Sequence, residues 1–85
     1  MLDILDGIER EAEEALRTVQ DEGGLGAWRT SYLGRRGKVT EAVKAVVTLP
    51  RDERPAYGRR ANELKRVLEA AYEVKSEELK KRALS

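Results

Sequence analysis

The chain has 85 residues, with 17 Lys and Arg against 16 Asp and Glu, a net charge of +1, and no His, Cys or Phe. A domain this short hides only roughly 60–65% of the surface its unfolded chain exposes. With 39% charged, 40% hydrophobic and 5% aromatic residues, the composition is that of amphipathic helices or coiled coils and leaves little for a deep core. Without His or Cys, thiolate–imidazole zinc sites, nucleophiles activated by His and disulfide frameworks are excluded.

The first residues, Met1-Leu2-Asp3-Ile4-Leu5-Asp6, are acidic from the third position and do not have the basic-then-apolar order of a signal peptide. No window approaches the ~20 apolar residues that span a bilayer. A soluble, cytoplasmic protein with no membrane association is expected.

In chain order, Leu5, Ile8, Ala12, Ala15, Leu16 and Val19 recur in steps that trace one helical face, which predicts a helix over about 2–20. Gln20-Asp21-Glu22-Gly23-Gly24 ends it, the glycine pair being suited to a left-handed exit. Leu25, Trp28 and Tyr32 restart the same period, predicting a short helix over about 25–33. Gly34-Arg35-Arg36-Gly37 is the sharpest turn signal, with glycines supplying the positive φ that a tight reversal can need. Thr40 is the expected N-cap of a helix over about 40–48 carrying Val43, Val46 and Val47. A strand there would have no partner to pair with.

Pro50 and Pro55 frame the start of the longest element, with Asp52 as candidate N-cap. Tyr57, Ala61, Leu64, Leu68 and Ala71 form a heptad seam that weakens through Val74 and Leu79. A helix over 52–84 would be roughly 50 Å long. The first two helices laid end to end match that length, so the expected fold is all-α: an antiparallel helical hairpin with a broken first arm and a basic tip at 34–50. Ser85 ends the pattern without a C-cap, as expected of a helix that continues into a further domain.

The net charge hides a gradient. Residues 1–22 carry two basic against eight acidic residues, a net −6; residues 29–66 carry eleven basic against four acidic, a net +7; and the last nineteen balance. Such asymmetry reads either as the footprint of a polyanionic partner or as the ordinary charge of solvated helix faces. In an antiparallel hairpin the acidic helix would lie beside the balanced tail, and the cations would gather at the tip.

Chemistry is sparse. Neighbouring carboxylates such as Glu13-Glu14, Asp52-Glu53 and Glu77-Glu78 do not face each other on a helix, and they read as solvated surface. Tyr72, Lys75 and Ser76 form a Ser/Tyr/Lys set with no cavity to hold a substrate. The Gly34–Gly37 loop lacks the lysine and hydroxyl of a nucleotide-binding loop. No catalytic or metal-ligating residue is therefore expected. Trp28 and Tyr32 read either as members of the apolar seam or as base-stacking residues.

Tyr32-Leu33-Gly34-Arg35-Arg36-Gly37-Lys38-Val39-Thr40, then Leu49-Pro50-Arg51-Asp52-Glu53-Arg54-Pro55-Ala56-Tyr57-Gly58 and Asn62-Glu63-Leu64-Lys65, resembles the N-terminal region of bacterial phenylalanine–tRNA ligase alpha subunits. Two motifs stand in the right order at the right separation. The resemblance implies an antiparallel helical arm that grips tRNA-Phe. It further implies a parent assembly with a beta subunit, (αβ)2, that uses ATP and Mg2+ in a class II catalytic domain not contained in this chain. The arm itself would need no cofactor. The charge map then nominates tRNA phosphate contacts: Arg35, Arg36 and Lys38 first, followed by Arg29, Arg59, Arg60, Lys65 and Arg66. The competing reading is a protein-interaction or oligomerisation hairpin, docking through Val67, Val74 and Leu79.

Overall fold

The computed structural model describes residues 2–84, and the expected uncapped end at Ser85 lies outside them. The fold is all-α, a helical arm measuring 52 × 18 × 15 Å with no strand among the described residues. Four α-helices follow in order: α1 (Leu2–Arg17), α2 (Glu22–Tyr32), α3 (Lys38–Lys44), which continues into a 3₁₀ turn over Ala45–Thr48, and α4 (Arg54–Leu84). No described helix is long and apolar enough to cross a membrane.

The seams read from periodicity form the core. Leu5, Ala12, Leu16 and Val19 from the first segment, Leu25, Trp28 and Tyr32 from the second, and Tyr57, Ala61, Leu64 and Leu68 from α4 are all buried, together with Val39 and Ala42 of α3. Leu79 is buried as well, at 6% exposure, whereas Val74 is 61% exposed. Of the apolar residues expected to remain open for a partner, Leu79 is therefore already taken by the fold.

The first two helices do not lie end to end. Trp28 Nε1 donates to the Ala12 carbonyl oxygen at 2.8 Å, and the Tyr32 hydroxyl donates to Glu11 at 2.7 Å, so α2 doubles back along α1. Against α4, α2 and α3 run antiparallel: Trp28 stacks on Tyr72, the Tyr57 hydroxyl donates to the Ala42 carbonyl, and a Cβ on Gly58 would touch Val46 at 4.0 Å. Helix α1 runs the other way, parallel to α4. Asp6 and Glu9 meet Arg60 near the start of α4, while Leu16 and Arg17 share a groove with Ala71, Val74 and Lys75 further along. The limb opposite α4 is thus a folded pair. The acidic helix begins along the basic stretch of α4, with Asp6 and Glu9 at Arg60, and its second half runs on beside the balanced tail.

Local chemistry explains the boundaries. Asp21 Oδ1 accepts from Gly24 N at 2.7 Å, capping α2 from Glu22 and enclosing the Gly23-Gly24 pair in its first turn. No glycine has positive φ among the described residues, so neither this pair nor the Gly34–Gly37 turn uses the left-handed region. Gly37, at φ −69°, is the N-cap of α3, which therefore starts before Thr40. The Thr40 hydroxyl instead donates to the Gly34 carbonyl at 2.7 Å and ties α3 back onto the turn. Helix α4 begins at Arg54, with Asp52 in the preceding turn and Pro55 in the first helical turn, where its missing N–H costs nothing.

Candidate nucleic-acid interface

The parallel register of α1 divides the eight nominated cations. Arg60 lies under a carboxylate cluster: its Nη2 donates to Asp6 at 2.8 Å and Glu9 at 2.7 Å, and its Nη1 to Glu63 at 3.2 Å. The bonds to Asp6, then to Glu9, hold its guanidinium above its ordinary pKa. Lys38 pairs with Glu11, which also accepts from Tyr32. The hydrogen bonds from Lys38 and then Tyr32 lower the Glu11 carboxyl below its usual value. Both of these cations are answered within the fold, and both face α1.

Five of the others have no carboxylate partner among the described residues: Arg35, Arg36, Arg59, Lys65 and Arg66 are all exposed. Arg59, Lys65 and Arg66 line one shallow groove on α4 with Asn62 and Glu69. On α4, Gly58, Lys65 and Tyr72 fall on one stripe, two helical turns apart, with Gly58 facing Val46 and Tyr72 facing Trp28. Lys65 lies between these two contacts on α4, and the Arg35-Arg36-Gly37 turn lies between Trp28 and Val46 in the chain. This turn sits beside the middle of the arm, since Tyr32 and Lys38 on either side of it both reach Glu11 in mid-α1. The end of the arm is made by residues 45–53 instead. Arg29 extends the same stripe, with its guanidinium carbon 5.0 Å from the centre of the Tyr72 ring.

Steric crowding fixes the turn. A Cβ on Gly37 would lie 2.5 Å from the carbonyl carbon and oxygen of Tyr32, and one on Gly34 would lie 2.7 Å from the Thr30 oxygen. The backbone therefore passes closer to itself than any side chain permits, and the two arginines are carried on a braced reversal. What results is a groove of unpaired cations on α4 and a braced turn carrying two more, while the cations that face α1 are answered by its carboxylates. Such unpaired cations can neutralise phosphates and fit a folded polyanion by shape.

Sequence reasoning did not identify the counterions Asp6, Glu9 and Glu11, because their role depends on the direction of α1. It also left Tyr72 in a set with Lys75 and Ser76, and no hydrogen bond joins these three among the described residues. No group of His, Cys, Asp and Glu there could hold a metal ion.

A helical arm with one cationic flank is a form suited to gripping a large partner, and this chain belongs to the N-terminal domain family of class II aminoacyl tRNA synthetases, whose profile matches residues 20–85. Its relatives narrow the class further. It is 43% identical over 82 residues to the phenylalanine–tRNA ligase alpha subunit of Heliobacterium modesticaldum, covering 96% of this chain and 24% of the relative. It is 39% identical over 69 residues to that of Thermotoga petrophila, covering 81% and 21%, and 35% identical over 80 residues to that of Coxiella burnetii, covering 94% and 24%. The chain thus spans between 21% and 24% of the length of these relatives.

Proposed function

We propose that this chain is a tRNA-binding arm of a phenylalanine–tRNA ligase alpha subunit, which positions tRNA-Phe for aminoacylation by a parent enzyme. The observation that carries this reading is the α4 groove lined by Arg59, Lys65 and Arg66, which, like the exposed Arg35 and Arg36 of the turn, have no carboxylate partner among the described residues. The names of the relatives supply the substrates, tRNA and phenylalanine, and imply a beta subunit alongside the alpha subunit. In the (αβ)2 parent, ATP and Mg2+ would act in the catalytic domain, and the arm would contribute grip and orientation. Its contacts fall on the phosphate backbone, where they position a folded RNA by shape and carry no sequence information directly.

Lys38 and Arg60, nominated with the others, have a lesser part in this reading because their charges already have carboxylate partners. The test is the salt dependence of tRNA binding by the wild-type chain and by Arg35→Ala/Arg36→Ala. Each lost phosphate contact should reduce the slope of log affinity against log salt by about 0.7–0.9. A slope untouched by the double substitution would remove the turn from the interface. The competing docking reading retains only Val74 as a well-exposed member of its stripe, with Val67 half-buried and Leu79 buried.

A further inference from the structure

The chain has four aromatic side chains, one Trp and three Tyr. Three have their polar atoms committed inside the fold: Trp28 donates to the Ala12 carbonyl, Tyr32 to Glu11 and Tyr57 to the Ala42 carbonyl. Tyr72 differs. It is half-buried, and its hydroxyl makes no hydrogen bond among the described residues. Its ring lies nearly parallel to that of Trp28, with an interplanar angle of 16° and centroids 6.4 Å apart. Trp28 is itself buried and pinned by its N–H, so the tyrosine is backed by a fixed surface. Arg29 lies over the ring at 5.0 Å, exposed and without a carboxylate partner among the described residues.

We propose that Arg29 and Tyr72 form a stacking site for an unstacked nucleobase of the bound RNA, with the guanidinium plane and the tyrosine ring as its platform. Bases are held on aromatic faces and on guanidinium planes alike. A guanidinium already seated on a ring is ordered before the base arrives, which lowers the entropy lost on binding. The site also lies in the path of the phosphate row: Tyr72 is one heptad beyond Lys65 on the same stripe, about 10 Å along the helix axis. A strand whose phosphates meet Lys65 and Arg66 in the α4 groove brings a nucleoside toward this position. The proposal rests on the RNA-binding reading above and adds to it a contact that does not depend on salt.

That difference supplies the test, a titration of tRNA at several salt concentrations. Arg29→Lys keeps the charge and removes the plane, Tyr72→Leu removes the ring, and Tyr72→Phe keeps the ring and removes the hydroxyl. Arg29→Lys and Tyr72→Leu should each weaken binding about 5–10-fold at every salt concentration, with an unchanged slope. Tyr72→Phe should stay within about twofold, because stacking uses the ring face. Thermal melts accompany each variant; Arg29→Lys, at an exposed position, keeps the test valid if Tyr72→Leu unfolds. Wild-type affinity for Arg29→Lys would overturn the proposal. So would a loss seen in Arg29→Ala that Arg29→Lys fully restores, the mark of a simple phosphate contact. Failure of the RNA-binding reading itself would show separately, as a salt slope indifferent to Arg35→Ala/Arg36→Ala.

Discussion

Replacing Gly37 by Ala tests the packing on which the interface depends. At φ −69° the backbone of Gly37 is open to any residue, so its need for glycine is purely steric. The added Cβ would meet the carbonyl carbon and oxygen of Tyr32 at 2.5 Å and the nitrogen of Leu33 at 2.9 Å. All three are backbone atoms, so no side-chain rotation relieves the clash and the turn must open. Overpacking of this kind costs about 1–3 kcal/mol, and alanine is a poorer N-cap than glycine by roughly a further 0.5–1 kcal/mol. A net loss of about 2–3 kcal/mol corresponds to a melting temperature lowered by roughly 10–20 °C in a domain of this size. The assay is thermal and urea unfolding followed by helical circular dichroism. Gly7→Ala is the control: nothing lies within 4 Å of its Cβ. Inside α1 that change should stabilise by about 0.5–1 kcal/mol, through helix propensity alone. A Gly37→Ala protein as stable as wild type would refute the steric account of the turn.

Arg60→Ala should destabilise the arm by about 1–2 kcal/mol, since its three carboxylate partners include two on α1 and its side chain is only 19% exposed; denaturant titration measures it, and a change under ~0.3 kcal/mol would contradict the cluster. Glu11 has a carboxyl lowered from 4.5 by Lys38 and then Tyr32, so its contribution is present above its unfolded value and disappears as pH falls through the folded one. Glu11→Gln should therefore be less stable than wild type at neutral pH, with the gap closing as pH falls below the ordinary carboxylate range; a gap independent of pH would be the wrong result. Burial first, and then the hydrogen bond to Glu11, push the Tyr32 hydroxyl up to about 12, and burial also raises that of Tyr57. Ultraviolet titration should show Tyr32 and Tyr57 ionising above the ordinary tyrosine range, with stability lost as pH climbs from that range toward the raised value. Ionisation of both within the ordinary range would contradict it.

Much of this architecture is legible in the sequence because burial has a period. The residues at helical spacing in the first segment and the heptad seam of α4 are those the core encloses, from Leu5 to Leu68. Direction has no such signature. An apolar stripe packs as well parallel as antiparallel, so the periodicity of α1 could not reveal that it runs alongside α4, bringing Asp6 and Glu9 to Arg60. The charge gradient consequently becomes a difference between two flanks, where the sequence suggested a difference between two ends. The glycines mislead in a similar way. Composition marks Gly34 and Gly37 as a turn but does not distinguish positive φ from close approach, and here only close approach applies. Tyr72 is ambiguous for a third reason, since its role depends on which hydroxyls the other tyrosines have already committed.

The central claim is that one flank of the arm meets tRNA and the α1 flank does not. Side-chain NMR of the arginine Nε groups during a titration with tRNA tests it directly, because Arg60 serves as an internal reference on the α1 side. The account predicts that the Arg35, Arg36, Arg59 and Arg66 resonances shift or broaden together, while that of Arg60 holds its position. A shift at Arg60 with the other four unmoved would place the RNA on the acidic flank and contradict the account.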